Sequence, residues 1–167
     1  MPPTLITRAH AAALAESLRL PDIVVSLASG KPLEDRLRDF FGTPDEFFLC
    51  TADQQLLLGG GEVVPLWDDG NFSEVSGFYP AGGCFVTFDV EDPVHPSRLR
   101  QMNWQQLLIA PFTRIWESES LDDRFEEIAA AFDFKYAARI VKAYAEKGFG
   151  SFGSQAAWYE SLMNEAA

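Results

Sequence analysis

The sequence has few cysteines, few histidines and no long apolar run. Cys50, Cys84, His10 and His95 are the only residues of these two types among 167. Because both cysteines lie in apolar stretches, we expect two reduced structural thiols rather than a disulfide framework. The histidines are too isolated to form a metal site with the cysteines at any recognised spacing. We therefore expect neither a metal nor another cofactor.

The sequence also lacks the marks of secretion and of membrane insertion. No basic segment at the start is followed by an apolar stretch and a cleavage site, and no apolar run approaches the roughly 20 residues of a membrane span. These absences predict a cytoplasmic chain without a membrane partner. The composition, 47% hydrophobic and 23% charged, is typical of a globular protein. The length favours a single domain over residues 1–167 and, in our interpretation, a monomer.

Basic residues are missing from the middle of the chain. The sequence has 13 Lys and Arg against 25 Asp and Glu, which gives a formal net charge of −12. No Lys or Arg occurs between Arg38 and Arg98, whereas 11 acidic residues lie there. Such a surface would repel phosphates, so we expect no nucleic-acid partner. The 11 residues are Asp39, Asp45, Glu46, Asp53, Glu62, Asp68, Asp69, Glu74, Asp89, Glu91 and Asp92.

Helical periodicity occurs at both ends of the chain. Apolar residues at helical spacing predict a helix over Thr7 to Leu20, which Pro21 ends, and a second short helix over Leu33 to Phe41. The helical period returns after residue 103, where Ser120 is placed to cap a helix. These later helices are predicted over 104–116, 121–132, 135–147 and 154–164.

Between the helical regions, short apolar stretches alternate with turn residues. Spacings this short allow hairpins but not helical crossovers, so we expect an antiparallel meander. The order of helices, strands and helices predicts an α+β fold in which the helices pack on one face of the sheet. Five strands are predicted: Phe47 to Thr51, Gln55 to Leu58, Val63 to Trp67, Val75 to Tyr79 and Cys84 to Val90.

Two turns look superficially like ligand-binding loops. The run from Gly59 to Gly61 lacks the Gly-Lys-Ser/Thr sequence of a phosphate-binding loop and precedes a strand, which favours a flexible hairpin turn. The run from Asp68 to Asn71 resembles part of a calcium loop, but the acidic ligands that should follow are absent. A hairpin turn in which Asp and Asn bond their own backbone is the preferred interpretation.

Paired carboxylates are the feature that most nearly permits catalysis. Glu117 and Glu119 lie two residues apart, and Asp89, Glu91 and Asp92 follow a predicted strand. Two carboxylates can provide the acid and the base of a hydrolase. Acidic segments also produce such pairs by abundance, and no serine or cysteine nucleophile has a recognisable local context. We therefore expect no enzyme, and a hydrolase that uses Glu117 and Glu119 is the third hypothesis.

Several stretches resemble bacterial members of the SUKH superfamily. The resemblance covers about Leu33 to Lys147 and lies in the stretches Val64 to Phe72, Gly83 to Glu91, Asn103 to Leu108, Trp116 to Glu119 and Phe132 to Phe134. It implies an α+β fold in which helices pack beside a sheet. It also implies a protein that binds and blocks a cognate bacterial toxin domain, often a nuclease. Scaffold and regulatory proteins belong to the same superfamily.

The charge distribution is compatible with such a partner. A nuclease attracts phosphate with basic residues, and an acidic surface would attract the same residues. Trp67, beside the acidic turn, is either a half-exposed anchor for a partner or the end of a strand. We expect an immunity protein, and a regulatory or scaffold protein-binding module is the second hypothesis. The expected contact residues are Trp67, Asp68, Asp69, Asn71, Glu74, Tyr79, Glu91 and Asp92.

Overall fold

The computed structural model describes residues 2–59, 62–147 and 149–167. The chain forms two compact units, one that ends at Gln101 and one that begins at Met102. Helices and antiparallel strands are both present, which confirms the α+β class. The single domain expected from the length stays a prediction. No helix among the described residues combines the length and the apolar character needed to cross a bilayer.

The first unit begins with short helices. Thr7 caps the first of them, as its Oγ1 accepts a hydrogen bond from the His10 N–H, and Ala11 and Ala15 are buried on its inner face. The predicted helix over Leu33 to Phe41 is shorter than expected. The helices are α1 (Arg8–Ser17), α2 (Asp22–Ala28), α3 (Asp35–Arg38), α4 (Asp45–Leu49) and α5 (Ala52–Gly59).

The sheet of the first unit has three strands in the described residues rather than five. Strands β1 (Val64–Asp68), β2 (Glu74–Tyr79) and β3 (Cys84–Asp89) form an antiparallel meander in the order β1-β2-β3. These correspond to the last three predicted strands, and α1 and α2 pack against β1. A hairpin turn was predicted for Gly59 to Gly61. Gly59 instead ends α5, and residues 60 and 61 lie outside the described residues.

The first two predicted strands are wrong. Phe47 to Thr51 overlaps α4, and Gln55 to Leu58 lies within α5. An apolar run of four or five residues is too short for its period to separate a strand from one turn of helix. Asp45 and Asp53 lie in the first turns of these helices. Negative charge there interacts favourably with the helix dipole, which supports the helical conformation.

The two faces of the sheet differ. Val75, Tyr79, Val86 and Phe88 on one face belong to an apolar cluster that includes Ile6 and Phe47. The other face carries paired side chains from β2 and β3. There the Ser76 and Thr87 hydroxyls are 2.9 Å apart, and the Phe78 and Phe85 rings meet edge to face at 5.2 Å.

Gln55 fixes the N-terminal segment to α4 and α5. Its Oε1 accepts a hydrogen bond from the Ile6 N–H at 2.8 Å, and its Nε2 donates to the carbonyls of Ile6 and Phe47 at 2.9 and 3.2 Å. The side chain is buried, so these bonds satisfy groups that water does not reach. Because Ile6 is held against the apolar cluster, the neighbouring Leu5 lies on the surface.

The second unit is helical in its described residues. Phe112 packs against Phe125, Phe132 and Phe134, which gives the unit an aromatic core. The capping role predicted for Ser120 is wrong, because a 3₁₀ turn over Asp122–Arg124 precedes the helix. The helices are α6 (Trp104–Ser118), α7 (Phe125–Ala131), α8 (Ala137–Lys147) and α9 (Phe152–Glu165), with Ser151 as the cap of α9.

Gln55→Ala tests the role of the Gln55 side chain. The change removes the Gln55 partners of the Ile6 N–H and carbonyl in a buried place, whereas the Phe47 carbonyl keeps its bond from the Cys50 N–H. We expect it to lower the free energy of unfolding by about 3 kcal/mol. The matched control is Gln54→Ala, which removes one exposed hydrogen bond to the Thr51 N–H and should cost less than about 1 kcal/mol. Urea denaturation checks both variants. Equal losses in the two variants would contradict the prediction.

Candidate functional site

One end of the sheet gathers acidic residues that are far apart in the sequence. β1 ends at Asp68, β2 begins at Glu74, and Glu74 lies directly opposite Asp89 of β3. Glu91 and Asp92 follow immediately after β3. In an antiparallel meander the end of one strand lies beside the start of the next, so all of these residues lie at the same end of the sheet.

Asp68 joins this end of the sheet to the chain before α4. Its backbone N–H and carbonyl exchange two hydrogen bonds of 3.0 Å with Gly42. A Cβ at position 42 would collide with Asp68 Oδ1, so a larger residue there would displace the Asp68 carboxylate. Gly70, with φ of 88°, lies against the backbone of Asp39 in the same way. Asp39 and the segment that leads to Glu46 are therefore held beside the β1–β2 turn.

We call this surface the acidic end of the sheet. It contains eight of the 11 acidic residues of the middle segment, contributed by separate stretches of chain. Its members are Asp39, Glu46, Asp68, Asp69, Glu74, Asp89, Glu91 and Asp92.

The β1–β2 turn is shaped by its own carboxylates. Asp68 Oδ1 accepts a hydrogen bond from the Gly70 N–H at 2.8 Å. Asp69 Oδ1 accepts from the N–H groups of Asn71 and Ser73 at 3.3 and 3.0 Å. The hairpin turn predicted for this run is confirmed, as is the bonding of Asp side chains to their own backbone. The same role for the Asn71 side chain stays a prediction.

The chain after β3 has a similar arrangement. Asp89 Oδ1 accepts hydrogen bonds from the N–H groups of Glu91 and Asp92 at 2.7 and 3.3 Å. The Asp89 carboxylate therefore fixes the backbone of the next two acidic residues. The side chains of Glu91 and Asp92 are exposed on this ordered turn.

Asp68 differs from the other carboxylates because it is buried, at 3% exposure. Burial raises the pKa of Asp68 above its ordinary value, and the negative charges of Asp69 and Glu46 act in the same direction. The hydrogen bond from Gly70 opposes this shift in the pKa. Asp69 and Glu46 therefore lie close enough to Asp68 for their charges to act on its carboxylate.

The expectation of a half-exposed Trp67 is wrong. Its side chain is 2% exposed and meets the Phe41 ring edge to face at 5.3 Å. A β-bulge lies between Pro65 and Trp67, and the extra residue lets both Leu66 and Trp67 face buried surroundings. Trp67 therefore lies in the core beside the acidic end.

The predicted contact residues fall into three groups. Asn71, Glu74, Glu91 and Asp92 are exposed at the acidic end, and Asp69 is half-buried there. Trp67 and Asp68 lie at the same end but are buried. Tyr79 is separate from both groups, because β2 ends there at the opposite end of the sheet, paired with Cys84.

Tyr79 is buried and has a different electrostatic environment. Burial raises the pKa of Tyr79, and the adjacent Glu62 carboxylate, which forms a hydrogen bond with the phenol, raises it further. Glu62 also lies 4.0 Å from Nε2 of His95. These groups belong to the end of the sheet that carries few of the acidic residues.

The first unit also exposes large apolar side chains that the sequence reasoning missed. Leu49 at the end of α4 is 85% exposed, and Leu57 in α5 is 72% exposed. Both lie in stretches that were predicted to be strands. A helical interpretation of the same stretches would have separated Phe47 and Gln55, which are buried, from these leucines.

In the second unit, Glu117 belongs to a small polar cluster. Its Oε1 accepts hydrogen bonds from the Tyr144 hydroxyl at 2.5 Å and from Gln155 Nε2 at 2.6 Å. Burial raises the pKa of Tyr144 to about 12, with a further contribution from Glu117. Glu119 ends α6 in a left-handed conformation, with φ of 54°. Among the described residues, no group of three His, Cys, Asp or Glu side chains is arranged to hold a metal ion.

Comparison with protein-family models, with curated proteins and with solved structures gave no match.

Asp68→Asn tests the electrostatics of the buried carboxylate. Because the folded protein raises the pKa of Asp68, ionisation of this carboxyl group opposes folding. The parent protein therefore loses stability as pH rises from about 4 through the raised pKa. Asn keeps the acceptor for Gly70 but carries no charge. We expect Asp68→Asn to unfold at higher urea concentration than the parent at pH 7, with an advantage that shrinks towards pH 3.

Asp69→Asn provides the matched control, since Asp69 is half-buried and its turn bonds survive the change. A pH-dependent gain of the same size in Asp69→Asn, or none in Asp68→Asn, would contradict this account of Asp68.

Glu117→Gln tests the polar cluster of the second unit. Gln keeps the acceptor for the Tyr144 hydroxyl but removes the negative charge, so the pKa of Tyr144 should fall from about 12 towards 10. Part of the shift should remain because burial is its largest cause. An NMR titration of the Tyr144 ring measures this change. Glu119→Gln should leave the titration unchanged, and equal shifts in both variants would rule out the direct contact.

Proposed function

We propose that this chain is a non-catalytic immunity protein that binds a basic toxin domain through the acidic end of its sheet. The observation that carries the proposal is the collection of eight carboxylates from separate stretches on one end of the sheet. The resemblance to the SUKH superfamily supplies the partner class, a toxin domain of the nuclease type. The same resemblance makes the cytoplasm the proposed compartment.

Electrostatic attraction supports this choice of partner. Charges that lie within a Debye length of about 8 Å at physiological salt add their fields. A surface with several such carboxylates accelerates the approach of a basic partner and disfavours an acidic one. A nuclease must present basic residues to bind phosphate, so its substrate-binding surface is complementary to the acidic end.

Local order supports the same interpretation. In both Asp69 and Asp89, one carboxylate oxygen accepts hydrogen bonds from backbone N–H groups, which fixes the two turns in the unbound protein. A preordered surface loses less conformational entropy on binding than a flexible loop does. Asp45 is excluded from the proposed surface charge because it forms an ion pair with Arg8.

A regulatory or scaffold protein is the second candidate. The exposed Leu49 and Leu57 side chains favour it, since an apolar surface can bind a cellular protein that is not basic. The hydrolase hypothesis has weaker support, because the Glu117 carboxylate is already bonded by Tyr144 and Gln155.

Growth rescue provides the test of the proposed function. An immunity protein of this type is expected to be encoded beside its toxin, so the toxin domain from the neighbouring gene is expressed in a sensitive host with and without this chain. We expect growth to recover only when the chain is present. A neighbouring gene product that is not toxic, or toxicity that persists with the chain present, would contradict the proposal.

Charge reversal at the acidic end tests the mechanism of binding. Glu91 and Asp92 are exposed, and we expect Glu91→Lys with Asp92→Lys to slow association with that toxin domain by about tenfold or more. Stopped-flow fluorescence gives the association rate constants.

The control is Asp122→Lys with Asp123→Lys, which makes the same change in net charge in the second unit. Asp122 and Asp123 are also adjacent and exposed. The control pair should change the rate much less. Equal slowing by both pairs would mean that net charge, rather than the acidic end, attracts the partner.

A further inference from the structure

A surface groove lies between the N-terminal segment and α4. Its volume is about 550 Å³. Leu5, Ile6, Phe48 and Leu49 supply its apolar lining, and Thr7, Arg8 and Asp45 complete it.

 A groove of this volume is large enough for one large side chain and its neighbours.

The walls of the groove are held in place from inside the fold. Gln55 ties Ile6 into the buried cluster, which leaves Leu5 on the rim with 45% exposure. Leu49, at the end of α4, forms the other rim. Phe48 is half-buried between them, and the Arg8 guanidinium lies 4.8 Å from the centre of its ring. The groove therefore offers an aromatic floor between two exposed leucines.

The charged groups of the groove favour a basic partner. Arg8 is paired with Asp45, so its positive charge is compensated within the groove. The adjacent Glu46 is exposed, and its charge also acts on Asp68. A segment with Lys or Arg next to an apolar side chain would meet negative charge beside the groove, whereas an acidic segment would be repelled.

The groove is continuous with the acidic end of the sheet. Asp45 lines both the groove and a smaller depression of about 260 Å³. That depression is also lined by Glu46, Asp68, Gly70 and Asn71. A partner on the acidic end can therefore reach the groove across Asp45 without leaving the surface of the first unit.

We infer that a basic protein partner inserts an apolar side chain into this groove while its Lys and Arg residues face the acidic end. The inference rests on the proposed function and supplies the apolar anchor that the buried Trp67 does not provide. Charge attracts the partner and burial of the apolar side chain slows its release, a division that is common in protein interfaces.

Three synthetic peptides test the inference by NMR titration of the full chain labelled with ¹⁵N. The first alternates Lys and Gly around a central Leu, the second has Ser in place of Leu, and the third has Glu in place of every Lys. We expect the Leu peptide to shift the amide signals of Leu5, Phe48 and Leu49 together with those of Asn71 and Asp92. The Ser peptide should shift only the signals of the acidic end, and the Glu peptide should shift neither set.

Leu49→Ser supplies the matched variant. Leu49 is 85% exposed, so the change should leave the fold intact while it weakens binding of the Leu peptide by about tenfold. Binding of the Ser peptide should not change. Leu57→Ser is the control, because Leu57 is 72% exposed and does not line the groove; it should leave binding of both peptides unchanged.

The outcomes separate this inference from the proposed function. If the Leu and Ser peptides both shift only the acidic end, the groove inference is wrong and the proposed function stands. If neither peptide shifts the amide signals of the acidic end, the groove inference and the proposed function are both wrong. This holds even if the groove signals alone respond, because the inference requires a basic partner. Equal weakening by Leu49→Ser and Leu57→Ser would also overturn the groove inference.

Discussion

The position of Asp68 is the constraint on which the surface of the first unit depends. Its backbone pairs with Gly42, and its carboxylate bonds the Gly70 N–H in the β1–β2 turn. One residue thus ties the chain before α4 to the end of the sheet. Because α4 follows directly, the same contacts place Asp45 between the acidic end and the groove beside α4.

This arrangement concentrates like charge at some cost in stability. Burial and nearby carboxylates raise the pKa of Asp68, so the folded state resists its ionisation. Hydrogen bonds from backbone N–H groups to Asp68, Asp69 and Asp89 offset part of that cost. The proposed interface would account for retaining such a surface, since a concentrated negative charge accelerates association with a basic partner.

Sequence patterns predicted the sheet better than the surface. β2 and β3 were predictable because their turns contain Gly, Asp or Pro and their strands alternate over six residues. The runs at Phe47 to Thr51 and Gln55 to Leu58 were too short to show a period, so two short helices were assigned as strands. The burial of Trp67 depends on a β-bulge and on Phe41, which are contacts that no local pattern contains. The exposure of Leu49 was not predicted because the stretch that forms α4 was assigned as a strand.

The most direct test of the central claim is the ionic-strength dependence of association between the unmodified chain and the proposed toxin partner. If the acidic end attracts the partner, the association rate constant should fall by about tenfold or more as salt rises from about 20 mM to about 500 mM. Dissociation should change much less, because the apolar contact is not screened by salt. An association rate constant that is the same at both salt concentrations would contradict the account.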